Sequence, residues 1–310
     1  MSAPPDSVQF VSGAGGLPMI RVDGPEGWAE IYMHGAHVTA WGPSGRESLL
    51  WLSGSSNFDE RTAIRGGVPV CFPWFGPLAG RPGAPRHGFA RTAAWTFESA
   101  QDDGRDVTIR LRLSDSVVTR DSAWPHRFIA TCIVVVGSTL SVALDVTNTG
   151  TEAVTFEEAL HTYLSVADVT AVEIMGLEGV AYVDKNGTGA AIVGESEPLR
   201  VADEVDRIYF GAPETVIVND VAGERELRIG MSGSGSTVVW NPGRKGASAT
   251  PDLDDEGWTT MLCVEASNVS PASVRLEPGA HHTMATTIAA DPRRPARIHY
   301  PTGRSETKHE

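Results

Sequence analysis

VTIRLRL at residues 107–113 and LSVALDVT at residues 140–147 carry a large apolar side chain at every second position, with polar or small side chains between. Because successive side chains of a strand point to opposite faces, this period of two predicts strands with one buried face. Further short β-rich runs, FIATCIVVV, TVIVND, RELRIG, STVVW and MLCVEA, begin at residues 128, 215, 225, 236 and 261. Long segments with a helical apolar period are absent from the sequence. The chain is therefore predicted to be all-β, a large antiparallel β-sandwich or barrel with few short helices.

Turns rich in Gly, Asn, Asp and Pro separate these short strands along the whole length, and no linker divides them. We therefore expect one β-sandwich domain over residues 1–290. The last twenty residues, DPRRPARIHYPTGRSETKHE, carry many charges and little apolar periodicity. They are predicted to form a loose C-terminal tail over residues 291–310.

The composition excludes several classes of protein. The 310 residues include 39 Asp plus Glu against 25 Lys plus Arg, and the net charge of −14 repels nucleic-acid backbones and anionic membrane surfaces. No run approaches the roughly 20 apolar residues of a membrane-spanning helix. The N-terminus lacks the pattern of a secretory signal, and the three widely spaced cysteines, Cys71, Cys132 and Cys263, suit reduced thiols. We therefore expect a cytoplasmic protein with no nucleic-acid or membrane partner.

One segment departs from the acidic character of the chain. Residues 61–91 hold five arginines and no Asp or Glu, so this window carries +5 and the rest of the chain carries −19. Its many prolines and glycines place the arginines on shaped loops. Such loops also carry arginine simply for solubility. Four aromatic residues, however, interleave with these charges and would be unusual on a surface without a binding function: Phe72, Trp74, Phe75 and Phe89. The window therefore indicates an anion-binding site.

Several short motifs do not support the functions with which they are usually associated. HGAH at residues 34–37 has two histidines three positions apart, which face opposite sides of a strand, and no zinc-type Cys/His cluster occurs in the sequence. We therefore expect no metal site. GSGS at residues 233–236 lacks the third glycine of a nucleotide-binding loop and is predicted to be a hairpin turn. The sequence also contains no GxSxG elbow and no Walker-type loop, which disfavours hydrolases and kinases of those types.

Two titratable residues lie within otherwise apolar strands. In FEEALHTYLSV from residue 156, an extended backbone places His161 and Tyr163 on one face and the aliphatic side chains on the other. In MLCVEASNV from residue 261, Cys263 and Glu265 share a face opposite Leu262 and Val264. A single buried histidine is usually only structural, and a glutamate inside an apolar strand is rarely buried without a partner or a role. Together with the arginine-rich window, these residues predict an acid/base site for an anionic ligand.

Six motifs then resemble the hexose-6-phosphate mutarotases, a branch of the aldose 1-epimerase superfamily. They occur in the same order and spacing as in that family and read RGGVPVCFPWFGP from residue 65, RHGFAR from residue 86, EALHTYL from residue 158, EVDRIY from residue 204, VVWNP from residue 238 and MLCVEASNV from residue 261. The resemblance implies a galactose-mutarotase-like β-supersandwich that needs no metal or organic cofactor. It also implies an isomerase that interconverts the α and β anomers of a hexose 6-phosphate, most plausibly glucose 6-phosphate.

The resemblance carries roles onto individual residues. His161 matches the general acid and Glu265 the general base of the family. Arg65 and Arg91 match residues that bind the substrate, and we expect them to bind its phosphate. Asp206 matches a carboxylate that holds sugar hydroxyl groups, and His87 matches a histidine near the ring oxygen.

The sequence departs from the family pattern at two positions. Arg86 replaces a common glutamine, which we expect to add a cation near the phosphate. Gly243 replaces a common tryptophan, which we expect to open one wall of the pocket.

Two other functions are compatible with these residues. One is a catalytically inactive sugar-phosphate sensor of the same fold, although a pure binder needs neither a general acid nor a general base. The other is a glycoside hydrolase with Glu157 or Glu158 as its second carboxylate. Glu158 would face away from His161, and the arginines would be unexplained. The expected partner is a small-molecule sugar phosphate, and the chain is expected to be monomeric.

Overall fold

Strands dominate the computed structural model, which describes residues 3–211 and 213–292. The first eleven are β1 (Val8–Ser12), β2 (Pro18–Asp23), β3 (Gly27–Tyr32), β4 (His37–Pro43), β5 (Val70–Cys71), β6 (Thr96–Asp102), β7 (Val107–Ser114), β8 (Phe128–Val136), β9 (Leu140–Asn148), β10 (Val154–Phe156) and β11 (Glu158–Leu160). The others are β12 (Tyr163–Ser165), β13 (Val172–Met175), β14 (Tyr182–Asp184), β15 (Ala191–Ile192), β16 (Val205–Phe210), β17 (Thr215–Asp220), β18 (Arg225–Ser232), β19 (Ser236–Asn241), β20 (Met261–Asn268), β21 (Val274–Leu276) and β22 (His281–Pro292).

Helices are short in the described residues. They are α1 (Val117–Arg120) and α2 (Gly243–Ser248), with four single 3₁₀ turns at Ala14–Gly16, Ala90–Thr92, Val169–Ala171 and Gly257–Thr259. None of these helices has the length and apolar character needed to span a membrane.

Two large antiparallel sheets form the body of the molecule. One has the strand order β13-β17-β18-β22-β9-β8-β7-β6, and the other has the order β15-β14-β16-β19-β20-β11-β5, with β12 also paired to β20. A four-stranded sheet, β1-β2-β3-β4, and the pair β10-β21 complete the architecture. The prediction of an all-β antiparallel fold with few short helices is confirmed.

Alternation of side chains places the core between the large sheets. β8 and β9 alternate buried and partly exposed residues along their whole lengths, as their sequences predict. β20 is instead buried at every position, because one of its faces packs toward β18 and β22 of the other sheet while the opposite face forms a cavity floor. Side chains of both large sheets belong to one continuous hydrophobic cluster. Burial on both faces therefore marks β20 as the central strand of the site.

Two expectations about the chain's connections need revision. The segment at Gly233–Gly235 is not a hairpin turn, because β18 pairs with β17 and β22 whereas β19 pairs with β16 and β20. The segment instead carries the chain from one large sheet to the other. β22 continues to Pro292, two residues past the expected domain boundary, and residues 293–310 of the expected tail lie outside the described residues.

Candidate active site

His161 and Glu265 face each other across two antiparallel strands. The register pairs Leu160 with Ala266 and Tyr163 with Cys263, so the intervening residue His161 lies opposite Glu265. His161 falls in a short break between β11 and β12, where its backbone N–H donates to Pro69 O. The distance from His161 Nδ1 to Glu265 Oε1 is 3.3 Å. Opposite positions on neighbouring strands thus explain why residues more than one hundred positions apart form one pair.

Burial controls the protonation of this pair. The Glu265 side chain is fully buried, and its loss of solvation, reinforced by the nearby Asp206 carboxylate, raises its pKa well above the ordinary value. Burial also lowers the pKa of His161, and the positive charges of Arg91 and Arg65 lower it further. Both effects favour neutral side chains and disfavour an ion pair. The pair then holds one transferable proton, so it contains one acid and one base.

The ring of His161 is fixed by aromatic neighbours. It stacks on Tyr163 with ring centres 4.8 Å apart and an interplanar angle of 11°. The Trp240 ring meets it nearly edge-on, with centres 5.7 Å apart. The expectation that His161 and Tyr163 share a face is confirmed by this stacking, although the strand is interrupted between them.

A cavity of about 310 Å³ opens above the pair. All seven residues singled out in the sequence line it: Arg65, Arg86, His87, Arg91, His161, Asp206 and Glu265. Its volume falls within the range of small-molecule sites. A larger groove of about 760 Å³ runs beside α1, but Arg112 is its only charged lining residue, and it offers no acid/base pair.

His87 enters the cavity from a strained turn. Its φ of +63° is unusual for a residue with a side chain, and the next residue, Gly88, also has a positive φ. A Cβ on Gly88 would lie 1.9 Å from Phe72 O, so only glycine fits there. Gly76 N–H donates to His87 Nδ1, which leaves Nε2 to carry the ring proton of the neutral imidazole. Burial and the neighbouring Arg91 lower the pKa of His87 and keep it neutral.

Arg65 is held by two side chains of the site. Its guanidinium donates to the Tyr163 hydroxyl at 3.0 Å and to Asp252 Oδ1 at 3.1 Å. Gly66, which follows it, has a φ of +117°, and a Cβ there would lie 2.5 Å from Trp51 O. The glycine therefore lets the loop approach the backbone of Trp51 closely enough to direct Arg65 into the cavity. The positive charge of Arg65 is largely balanced by Asp252.

The other arginines retain free positive charge. Within residues 3–211 and 213–292, neither Arg86 nor Arg91 forms an ion pair with a carboxylate, although Arg91 donates to the backbone oxygen of Arg86 at 2.9 Å. Lys185 joins them in the cavity lining, with its Nζ 3.8 Å from Asp206 Oδ2 and 5.4 Å from the ring centre of Phe75. These three cations make the cavity suited to an anion.

Comparison with known proteins identifies the family. Residues 18–289 match the family model described as aldose 1-epimerase. The chain belongs to the aldose 1-epimerase family. It is 36% identical over 274 residues to an Escherichia coli protein named "Putative glucose-6-phosphate 1-epimerase", covering 88% of this chain and 91% of that protein. A protein of the same name from Cenchrus ciliaris is 31% identical, with 85% and 82% of the two chains covered.

Solved structures of the aldose 1-epimerase family share the fold. The structure of a "putative mutarotase" from Salmonella typhimurium has a TM-score of 0.87 and 30% identity, covering 94% of this chain and 96% of that one. The galactose 1-epimerase of Lactobacillus acidophilus has a TM-score of 0.72 at 12% identity, covering 93% and 99%, which shows similarity of fold alone. The resemblance inferred from the six sequence motifs is confirmed.

The candidate site also contains residues that sequence reasoning missed. Lys185 follows β14 in the turn VDKNGTG, and Asp252 lies in the loop after α2; neither belongs to a quoted motif. Lys185 reaches the site because β14 pairs with β16, which carries Asp206. Only a known strand register would have predicted that proximity.

Gly243 is not among the residues that line the cavity, and the expectation that it opens a wall stays a prediction. Its φ is +59°, and a Cβ there would lie 2.7 Å from the backbone nitrogen of Glu204. This glycine is therefore explained by close packing at the start of α2. Arg86 does line the cavity, as an added cation should.

The carboxylates considered for a glycoside hydrolase have other partners. Glu157 accepts hydrogen bonds from the backbone of Phe75 at 3.0 Å and of Ser270 at 2.9 Å. Glu158 is buried against Asn268 and His282, and neither glutamate lines the cavity. The hydrolase interpretation is therefore not favoured.

Proposed function

We propose that this epimerase interconverts the α and β anomers of a hexose 6-phosphate, with glucose 6-phosphate as the first candidate. The observation that carries the proposal is the single cavity that holds both a one-proton acid/base pair and a cluster of cations. The names of the E. coli and Cenchrus ciliaris relatives support this choice of substrate.

The acid/base pair can open and close the sugar ring. Glu265 removes the proton of the C1 hydroxyl while His161 protonates the ring oxygen, so the bond between C1 and the ring oxygen breaks and an aldehyde forms. Rotation about the C1–C2 bond exposes the other face of the aldehyde. Reclosure returns both protons and gives either anomer. Neither a nucleophile nor a hydride carrier is required, because the bond breaks and re-forms within the sugar and only protons are exchanged with the protein.

The remaining polar residues position the sugar. Arg86, Arg91 and Lys185 bind the phosphate, whose charge at neutral pH is about −1.5 to −2. The neutral His87 donates from Nε2 near the ring oxygen, and Asp206 accepts hydrogen bonds from sugar hydroxyl groups. The positive charge of Arg91 lowers the pKa of His161. A bound phosphate offsets that charge and so raises the pKa of His161 again. Substrate binding therefore favours transfer of the proton from Glu265 to His161, which gives the carboxylate base and the imidazolium acid that the reaction needs.

Exchange spectroscopy by NMR on equilibrated glucose 6-phosphate tests the proposal. We expect catalytic amounts of protein to raise the rate of α/β exchange in proportion to protein concentration, and more strongly for glucose 6-phosphate than for glucose. Release of methanol from methyl glucoside 6-phosphate would instead identify a glycoside hydrolase. Saturable binding of glucose 6-phosphate without faster exchange would identify a sensor. Cytoplasmic location and a monomeric state stay predictions of the sequence.

A further inference from the structure

Cys263 adds a third metal-ligating side chain to the pair formed by His161 and Glu265. One ligand atom of each residue lies within 4.8 Å of the other two, and all three side chains are buried. Cys263 and Glu265 are two positions apart on β20 and therefore share the face that forms the cavity floor. Cys263 also lies opposite Tyr163, on which the His161 ring stacks. The fold thus brings a thiol, an imidazole and a carboxylate to one point.

The unsatisfied atoms of these residues are spaced as metal ligands. His161 Nδ1 and both carboxylate oxygens of Glu265 are buried and have no hydrogen-bond partner, although Nδ1 and Oε1 are only 3.3 Å apart. Two ligands about 2.0–2.1 Å from a tetrahedral zinc ion are also about 3.3 Å from each other. Cysteine, histidine and glutamate are all ordinary zinc ligands. His161 Nδ1 and Glu265 Oε1 are therefore spaced as two ligands of one ion, and Cys263 offers its Sγ within 4.8 Å of a ligand atom of each.

We propose that His161, Cys263 and Glu265 bind Zn²⁺ and that the bound ion inhibits the enzyme. Three protein ligands leave a fourth position of the tetrahedron open toward the cavity. Binding releases the thiol proton and the proton held by the pair to solvent. The ion then binds the general acid and the general base at once, so it competes with the sugar for these two residues. The inhibitory part rests on the proposed epimerase function, whereas the metal site does not.

Cobalt(II) tests the site without any assay of activity. Titration of the whole protein with Co²⁺ is expected to give a saturable one-to-one band of thiolate-to-cobalt charge transfer in the near ultraviolet. Cys263→Ser should abolish the band. Cys132→Ala should retain it, because Cys132 is an equally buried thiol on β8 that is not part of this group. Absence of the band in the unaltered protein, or its persistence in Cys263→Ser, would overturn the proposal.

Zinc tests the inhibitory consequence. We expect Zn²⁺ to slow anomer exchange competitively with glucose 6-phosphate, and Cys263→Ser to raise the half-inhibitory Zn²⁺ concentration about 100-fold relative to that variant's own rate. Equal sensitivity in Cys263→Ser would overturn inhibition through this site. A protein that shows the cobalt band and has no exchange activity would instead refute the proposed function and leave the metal site intact.

Discussion

At the scale of single residues, the site depends on one proton shared by two buried groups. His161 and Glu265 occupy opposite positions on paired strands, so their separation is set by the sheet and not by flexible loops. Stacking on Tyr163 fixes the imidazole further. Residues placed on strands in this way hold a catalytic geometry with little loss of conformational entropy on binding.

The pH dependence should reflect the pair as a unit. Below the first macroscopic pKa both groups are protonated and no base remains; above the second, neither group holds a proton and no acid remains. The lowered pKa of His161 moves the first limit below the ordinary 6.5, and the raised pKa of Glu265 moves the second above the ordinary 4.5. We expect the acid limb of kcat/KM, which reports the free enzyme, to lie below pH 6.5. An acid limb of kcat/KM that titrates near 6.5 would contradict this account.

The free cations should determine selectivity for the phosphate. Arg91→Ala is expected to raise KM for glucose 6-phosphate roughly 10- to 100-fold, because a charge-assisted hydrogen bond contributes about 1.5–3 kcal/mol. KM for glucose should change little. Arg81→Ala is the matched control, since Arg81 belongs to the same arginine-rich window and lines a different groove. An equal loss on both sugars would argue against the phosphate role of Arg91.

Arg65 should behave differently from Arg91. Its guanidinium joins Tyr163 and Asp252, and its charge is already balanced. Arg65→Ala removes an organiser of the site as well as a cation. We therefore expect kcat/KM to fall for glucose and for glucose 6-phosphate, measured by the same exchange experiment. A loss confined to glucose 6-phosphate would show that Arg65 acts mainly as a phosphate ligand.

The sequence predicted the residues of the site better than their mutual contacts. The motifs identified His161, Glu265 and the arginines because each stands out against apolar strands or an acid-free window. The link between Asp252 and Arg65 depends on the path of the loop after α2. The convergence of Cys263 on His161 depends on the register between β12 and β20. Such distances arise from tertiary pairing and leave no local pattern.

At the scale of elements, the alternation of apolar residues predicts where strands begin and end. It does not predict how the strands are connected. β8 and β17 coincide with the predicted runs at residues 128–136 and 215–220, because turn residues flank each apolar run. The prediction of a hairpin turn for the glycine-rich segment after β18 is wrong. Two strands joined by a short turn usually form a hairpin, but β18 and β19 belong to different sheets. Here Gly233 has a φ of +66° and a Cβ on it would lie 2.1 Å from Thr283 O, so the segment packs against β22 as it leaves the sheet.

Asn268 should stabilise this crossing between the two large sheets. Its side chain donates to Gly233 O and to Glu158 Oε1 and accepts from the Gly235 N–H, and it is 4% exposed. Asn268→Ala leaves the Gly235 N–H unpaired, and Gly233 O and Glu158 Oε1 keep only His282 as a partner. The substitution is therefore expected to lower the free energy of unfolding by about 2 kcal/mol. Urea denaturation measures the change. The exposed Asn186→Ala should stay within about 0.5 kcal/mol of the unaltered protein. An equally small loss for Asn268→Ala would contradict its bridging role.

At the scale of the whole molecule, charge is divided between the exterior and the site. The net charge of −14 discourages extended polyanions, whereas the window at residues 61–91 supplies three arginines to one cavity. Under the proposed function, a phosphate on a small sugar enters where an extended polyanion is disfavoured, because the opposing surface charges are screened over about 8–10 Å. The fold produces this separation by directing the loops after β4 and β5 toward the face of β20 that carries Glu265.

Anomer exchange by the variants Glu265→Gln and His161→Asn tests the central claim most directly. Each substitution preserves the approximate size of the side chain and removes one half of the acid/base pair. We predict that exchange spectroscopy on glucose 6-phosphate will show each rate reduced about 1,000-fold, within the usual contribution of general acid/base catalysis. Binding of glucose 6-phosphate, followed by calorimetry on the same samples, should remain within about threefold of the unaltered protein. Near-normal exchange in either variant would contradict the account.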